Sequence, residues 1–276
     1  MVAELEHVRK AFRELGKSLK SLPADPSPKA VHKLRTATRR VEAIAAALPP
    51  HDGRKSQRLL KSIEPVRKAA GGVRDMDVLT ANVRKLARYA SGNSLTRLTD
   101  LLQNARQQNA AELSRVLSRR RKAARQNLKE YSRLLRSALA PANAAASANG
   151  RPSQSHEGIQ AVAMNVFREL GEWPPLDASN IHAFRLKVKE LRYTLQLDAG
   201  SDPAFVAALG DVQRRVGDWH DWDQLAEIAR EILQSVEDQS LLTRIDLTAK
   251  RRFAQALAAA NALRGRYLSA PRALGI

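Results

Sequence analysis

Two segments of this chain repeat the same spacing of histidine and basic residues, 150 positions apart. In residues 31–41 and 181–191, a histidine is followed by an arginine three positions later and by another cation four positions after that. At about 100° per residue, the three side chains share one face of a helix. All three groups can donate hydrogen bonds to phosphate oxygens, so the pattern indicates an anion-binding face. These residues are His32, Arg35 and Arg39 in the first segment and His182, Arg185 and Lys189 in the second. The alternative is that the two histidines are buried and orient their neighbours.

The opposite face of each segment explains why both should be helices. Apolar residues recur there at helical spacing, which gives each helix a side to bury. They are Leu34, Ala37, Val41 and Ile44 in the first, and Phe184, Val188, Leu191 and Leu195 in the second. Ser27 and Pro28 predict the start of the first helix. Asp177, Ser179 and Asn180 offer capping oxygens for the second.

A second repeated pattern, Gly-x-x-cation-Asp-x-Asp-x-Leu, occurs in residues 66–79 and 212–225. Two motifs in the same order, at offsets of 150 and 146 positions, predict an internal duplication. The cation is Arg74 in the first copy, and His220 takes its place in the second. We interpret Asp75 and Asp221 as helix caps after glycine turns, or as ion-pair partners. The alternative is that the paired carboxylates bind a divalent metal.

The chain carries a formal net charge of +19, and all of the excess lies in its first half. Residues 1–150 contain 31 Lys and Arg against 12 Asp and Glu, whereas residues 151–276 contain 16 of each class. A cationic ridge is predicted along one long helix from Arg115 to Arg136, with Arg119, Lys122, Arg125 and Lys129 among its members. This asymmetry favours a polyanionic partner over a merely solvated basic surface.

Composition predicts an all-α protein, because aromatic residues are few and no segment alternates as a strand would. We expect two related helical bundles in residues 1–140 and 156–276, joined by a linker at 141–155, although one large domain is the alternative. The predicted helices cover residues 3–20, 28–48, 54–70, 75–90 and 94–139, then 156–170, 180–198, 203–217, 221–236 and 239–268. The absence of an apolar leader or spanning segment predicts a soluble, cytoplasmic protein with no membrane partner.

Catalytic motifs are absent from the sequence. The chain has no cysteine, no phosphate-binding P-loop, no nucleophile elbow and no HExxH pair. His220 and Asp221 are similar to the metal-binding dyad of HD phosphohydrolases, but the further histidine and aspartate of such a site are not evident. We therefore expect a binding protein, not an enzyme, with no cofactor and no resident metal.

The motifs at residues 31–41, 66–79, 181–193 and 212–225 together resemble the CHAD domains, a family of α-helical domains named for their histidines. The resemblance implies two pseudo-symmetric bundles around a basic central cavity that binds inorganic polyphosphate. It also implies association with polyphosphate granules. By position, the implied ligands are His32, Arg35, Arg39, Arg40, Arg74, His182, Arg185, Lys189 and Arg192. Glu42, Glu190 and His220 depart from the family pattern, so we predict a binding footprint that is heavier on the first half and on the Arg115–Arg136 ridge.

Two other functions compete with polyphosphate binding. Basic surfaces also attract nucleic acids and other polyanions, but Tyr131, Tyr193, Trp219 and Trp222 are not interleaved with the cations as base stacking requires. A metal-dependent phosphohydrolase that uses the histidines and the aspartate pairs is the second alternative. The sequence leaves the oligomeric state open.

Overall fold

The structure is a computed structural model that describes residues 2–47, 53–87, 93–149, 154–196 and 200–269. Within these ranges the chain forms α-helices and no β-strand, which confirms the all-α prediction. The helices are α1 (Val2–Ser21), α2 (Pro28–Ala47), α3 (Gly53–Leu86), α4 (Asn93–Asn149), α5 (Gln154–Gly171), α6 (Ile181–Leu195), α7 (Pro203–Ile232) and α8 (Gln239–Leu263). A 3₁₀ turn at Val236–Asp238 precedes α8, and a π-helical turn at Arg264–Leu268 follows it. The predicted helix ends at residues 48, 90 and 198 lie outside the described residues.

The starts of α2 and α6 follow the predicted capping residues. The Ser27 hydroxyl accepts a hydrogen bond from the Ala30 amide at 3.3 Å, and Pro28 occupies the first helical position. Before α6, the Asp177 carboxylate accepts hydrogen bonds from the amides of Ser179 and Asn180, at 2.8 and 3.2 Å. Both caps satisfy backbone donors that a helix start would otherwise leave unpaired.

The predicted helix break at Gly71 and Gly72 is wrong, because α3 runs through both glycines and through Pro65. Each helix-interior glycine costs about 1 kcal/mol relative to alanine. Burial of a valine or leucine side chain contributes about 1.5–3 kcal/mol, and α3 buries such residues on both sides of the glycine pair. Packing therefore outweighs local propensity.

The same correction applies to α7, which continues through Gly217 where two separate helices were predicted. Asp75 and Asp221 lie in the interiors of α3 and α7, so the prediction that they cap helix starts is wrong. An ion pair does form in the first motif: Asp77 is buried and accepts a hydrogen bond from Arg106 of α4 at 2.7 Å. Asp202 caps α7 instead, accepting from the Ala204 amide at 2.8 Å.

Most of the segment at 141–155, predicted as a non-helical linker, is helical in the structure. Helix α4 extends to Asn149 and α5 begins at Gln154. Residues 150–153 of the predicted linker lie outside the described residues.

The chain divides into two compact units, each discontinuous in sequence because α3, α4, α5 and α6 all contribute residues to both. The first unit comprises Met1–Arg74, Asn109–Val166 and Tyr193–Ser201, and the second comprises Asp75–Gln108, Phe167–Arg192 and Asp202–Ile276. In the first unit, α1 packs on α2, and the core includes the predicted apolar face of α2. Leu113, Leu117 and Leu128 of α4 are also buried there, as is Tyr131, which stacks on Phe12 with ring centroids 5.8 Å apart.

In the second unit, α7 packs on α8, and the apolar face of α6 is buried as predicted. Leu79, Val83 and Leu86 of α3 share a core with Trp222 and Leu225 of α7. The predicted duplication of residues 1–140 and 156–276, and the basic central cavity, stay predictions.

Among the described residues, no helix is both long enough and apolar enough to span a bilayer.

Candidate functional site

In the first unit, α2 and α3 bring together three of the predicted ligands, His32, Arg35 and Arg74, which we call the first cluster. The guanidinium of Arg35 lies directly against the backbone of Gly71, so that a Cβ atom added there would be 2.6 Å from Arg35 Nη1. Both Arg35 and Arg74 are close enough to His32 to affect its titration. The glycine of the second motif therefore makes room for the arginine of the first motif.

In the second unit, α6 and α7 form the second cluster, His182, Arg185 and His220. A Cβ atom added at Gly217 would be 2.8 Å from Arg185 Nη2, so this arginine also lies on a helix glycine. Arg185 Nε donates a hydrogen bond to the carbonyl oxygen of Gln213 at 3.1 Å. The rings of His182 and His220 lie side by side, with centroids 4.4 Å apart.

The two clusters use matching positions of the repeated motifs. Arg35 contacts Gly71 as Arg185 contacts Gly217, and the histidine of each first motif lies near the cation position of the second. Each arginine therefore occupies the space that a larger side chain would fill on the neighbouring helix. Each cluster thus holds one planar hydrogen-bonding fork against a glycine of its own unit, and such a fork suits an oxyanion with several acceptor oxygens.

The electrostatics of the first cluster disfavour a charged histidine. Desolvation lowers the pKa of His32, and the cations Arg74 and Arg35 lower it further. Part of the ring remains exposed to solvent. An anion near this cluster would therefore favour protonation of His32, since it offsets the repulsion from both arginines.

The pKa values of both histidines in the second cluster are also lowered, but nearby carboxylates act in the opposite direction on His220. Desolvation lowers the pKa of His182, with additional contributions from His220, Arg185 and Lys189. Desolvation and Arg185 lower the pKa of His220, while Asp223, Asp75 and Glu227 oppose that shift. His182 Nδ1 is buried and has no hydrogen-bond partner among the described residues.

The other predicted ligands on α2 and α6 differ in their surroundings. Arg39 is partly buried on α2, whereas Arg40 is exposed and forms an ion pair with Glu14 of α1 at 3.0 Å. On α6, Lys189 is partly buried near His182. Arg192 Nη1 donates a hydrogen bond to Gln213 Oε1 at 3.2 Å. The clusters therefore gather His32, Arg35, Arg74, His182 and Arg185, with Lys189 beside the second, while Arg40 is held by a carboxylate.

The two acidic departures from the family pattern form ion pairs. Glu42 pairs with Arg67 at 2.7 Å, and Glu190 pairs with Lys187 at 3.4 Å. Each carboxylate thus neutralises a cation of its own unit. No group of three or more potential metal-ligating His, Cys, Asp or Glu side chains occurs in the part of the chain that the structure describes.

The predicted ridge on α4 lines one wall of a groove in the first unit, which we call the α1–α4 groove. Its volume is about 1080 Å³, and Lys122, Arg125 and Lys129 contribute to its lining. Arg119 is exposed on α4 but is not among the lining residues. Sequence analysis missed the lining cations Arg9, Arg13 and Arg121. The spacing of Arg9 and Arg13 marks a shared helix face, but no sequence signal pairs α1 with α4.

The helical fold and these paired motifs define an all-α domain of the kind the sequence resembles. The family model for the CHAD domain matches residues 6–230. This chain therefore belongs to the CHAD domain family. Among solved structures, its fold is similar to the crystal structure of the CHAD domain from the plant Ricinus communis, with 20% sequence identity and a TM-score of 0.60. That match covers 98% of this chain and 89% of the plant chain. The search of curated proteins found no match.

Proposed function

We propose that this chain binds inorganic polyphosphate and, through that binding, associates with polyphosphate granules. One observation carries the proposal: in both motif copies an arginine fork lies on a helix glycine, beside a histidine. A chain of linked phosphates carries about one negative charge per phosphate, shared by oxygens that such forks can bind without base recognition. The proposal assigns binding to the chain and no catalytic step.

The overall charge supports the same ligand class. The formal net charge of +19 exceeds what solubility alone requires, and it favours a partner with many negative charges. Of the four aromatic residues considered above, Tyr131, Trp219 and Trp222 are buried in the structure, and Tyr193 is partly exposed. This burial favours an inorganic chain over single-stranded nucleic acid, which such proteins bind by stacking bases.

The proposal is tested by replacing Arg35, Arg39 and Arg185 together with alanine. Loss of three charge-assisted contacts should weaken polyphosphate binding by about tenfold or more, while helicity measured by circular dichroism stays unchanged. Affinity is measured by calorimetry with long-chain polyphosphate. The control replaces Arg58, Lys61 and Arg120, three exposed cations outside the clusters and the groove lining.

Equal affinity of the triple variant and the wild type would remove these arginines from the site. Displacement of polyphosphate by DNA at equal phosphate concentration and fixed salt would favour the nucleic-acid alternative. Release of orthophosphate with added Mg²⁺ or Mn²⁺ would favour the phosphohydrolase.

A further inference from the structure

The α1–α4 groove is lined by seven cations and by no acidic side chain among the described residues. The cations are Arg9, Arg13, Arg121, Lys122, Arg125, Lys129 and Arg136. None of the described lining residues is a histidine. This groove therefore differs chemically from the two histidine-containing clusters.

The cations follow the length of the groove. Lys122, Arg125, Lys129 and Arg136 recur at helical spacing along α4, and at 1.5 Å per residue they span about 21 Å. Arg9 and Arg13, one turn apart on α1, belong to the same lining. A single phosphate could contact only part of this row, whereas a linear polyanion could follow it.

The large apolar side chains in the groove lining are already buried. Phe12, Leu117 and Leu128 line it, but each is already buried in the core of the first unit. A nucleobase would therefore find no exposed aromatic ring in the lining. Positive charge is therefore the main feature that the groove presents to a partner.

Arg121 provides a second observation that points to an anion. Its Nη2 donates a long hydrogen bond of 3.4 Å to the carbonyl oxygen of Leu22. Its Nε is buried and has no hydrogen-bond partner in the described part of the chain. A buried donor without an acceptor is costly, and a shift of this side chain toward an oxyanion in the groove would give the donor an acceptor.

We infer that the α1–α4 groove is a second polyphosphate-binding track, separate in chemistry from the two clusters and insensitive to histidine protonation. This inference rests on the proposed function and deepens it. The track binds a stretch of linked phosphates along α4, so it should discriminate long chains from tripolyphosphate.

The test uses the full chain with Arg13→Gln, Arg125→Gln and Lys129→Gln. We expect affinity for long-chain polyphosphate to fall by about tenfold, and the slope of log affinity against log salt to decrease in magnitude by about two to three. Affinity for tripolyphosphate should change less. The matched control, Arg58→Gln, Lys61→Gln and Arg120→Gln, removes the same charge outside the groove and should keep the wild-type slope.

A second measurement separates the track from the clusters. In a variant with Arg35→Gln, Arg74→Gln, Arg185→Gln, His32→Gln, His182→Gln and His220→Gln, residual binding of long chains should vary little between about pH 5.5 and 8. Adding the three groove substitutions to this variant should abolish that residual binding.

The outcomes distinguish the two proposals. Wild-type affinity and slope in the groove variant would overturn the track and leave the proposed function standing. Failure of the wild type to bind polyphosphate would overturn both. Tighter binding of the six-substitution variant to DNA or to an acidic peptide than to polyphosphate of equal charge would overturn the ligand assigned to the groove.

Discussion

The contact of Arg35 with Gly71 and of Arg185 with Gly217 determines where each guanidinium lies. In both cases the arginine occupies the space of a missing side chain on the neighbouring helix. Arginine loses rotamer freedom when it is ordered, and here the fold has already restricted it before an anion binds. Glycine at these positions is thus explained by close approach and not by a turn.

Gly71→Ala and Gly217→Ala should separate binding from stability. The added methyl group would displace the end of a flexible arginine side chain, while alanine improves helix propensity by about 0.5–1 kcal/mol. We expect polyphosphate affinity to fall several-fold and the thermal midpoint to stay the same or to rise. Calorimetric titration and thermal melts measure the two effects.

The control for this pair is Gly265→Ala, where no atom lies within 4 Å of the added Cβ. That change should leave polyphosphate affinity at the wild-type value. Unaltered binding by both Gly71→Ala and Gly217→Ala would contradict the role given to these contacts.

The histidines predict how binding depends on pH. In the free protein, burial and nearby cations lower the pKa of His32, His182 and His220. A bound polyanion would raise each pKa, so the complex takes up protons and affinity should increase as pH falls from about 8 to about 5.5.

Replacement of His32, His182 and His220 by glutamine should flatten this profile while neutral-pH affinity changes less. The measurement is a series of titrations at constant ionic strength with long-chain polyphosphate. An identical pH profile in the triple variant would show that other groups take up the protons.

At the scale of helices, local sequence patterns predicted most elements correctly and failed where packing decided the outcome. The spacing of Leu34 and Val41, with the Ser27 cap, was enough to place α2. The sequence pattern wrongly predicted helix breaks at the glycines of α3 and α7. An arginine from another helix lies against these glycines, and local sequence does not indicate that contact. The buried residues on either side keep both helices continuous.

A buried carboxylate directly before α8 was not revealed by the sequence. Asp238 is 0% exposed and accepts hydrogen bonds from Ser94 and, at 2.5 and 2.7 Å, from Arg97 of α4. The Ser235 amide and hydroxyl also donate to it, at 3.0 and 2.7 Å. Its partners Ser94 and Arg97 lie more than 140 positions away in the sequence, so local patterns could not predict these contacts.

Asp238→Asn should lower the thermal midpoint, because Arg97 would lose its carboxylate partner in a buried network. The matched control is Asp246→Asn, which breaks a more exposed pair with Arg230 and should have little effect. The Arg97, Ser94 and Ser235 hydrogen bonds lower the pKa of Asp238 well below its ordinary value.

The sign of the pH effect follows from that depressed pKa. The stability contributed by ionised Asp238 is complete above the ordinary aspartate pKa of about 4 and is lost as pH falls through the folded-state value. Melts of wild type and Asp238→Asn should therefore converge in acid. A constant difference down to about pH 2 would contradict this assignment.

For the whole molecule, composition favours a class of ligand, whereas it does not indicate which helices form a site. The excess of cations in residues 1–150 indicated a polyanion and a footprint that is heavier on the first half. The α1–α4 groove agrees with that emphasis, but it joins residues about 100 positions apart, which no periodicity can pair. Arg40 shows that adjacency in sequence is not enough to assign a ligand. Arg39 is partly buried, whereas Arg40 is exposed and pairs with Glu14.

The continuity of α3 has a consequence for how the molecule comes apart. One uninterrupted helix supplies Val66 and Val73 to the core of the first unit and Leu79 and Val83 to that of the second. If either core melts, half of this helix loses the burial that makes it helical, and its glycine pair gives it little intrinsic tendency to persist. We therefore expect melting of one core to shorten α3 to the half that the other core still buries.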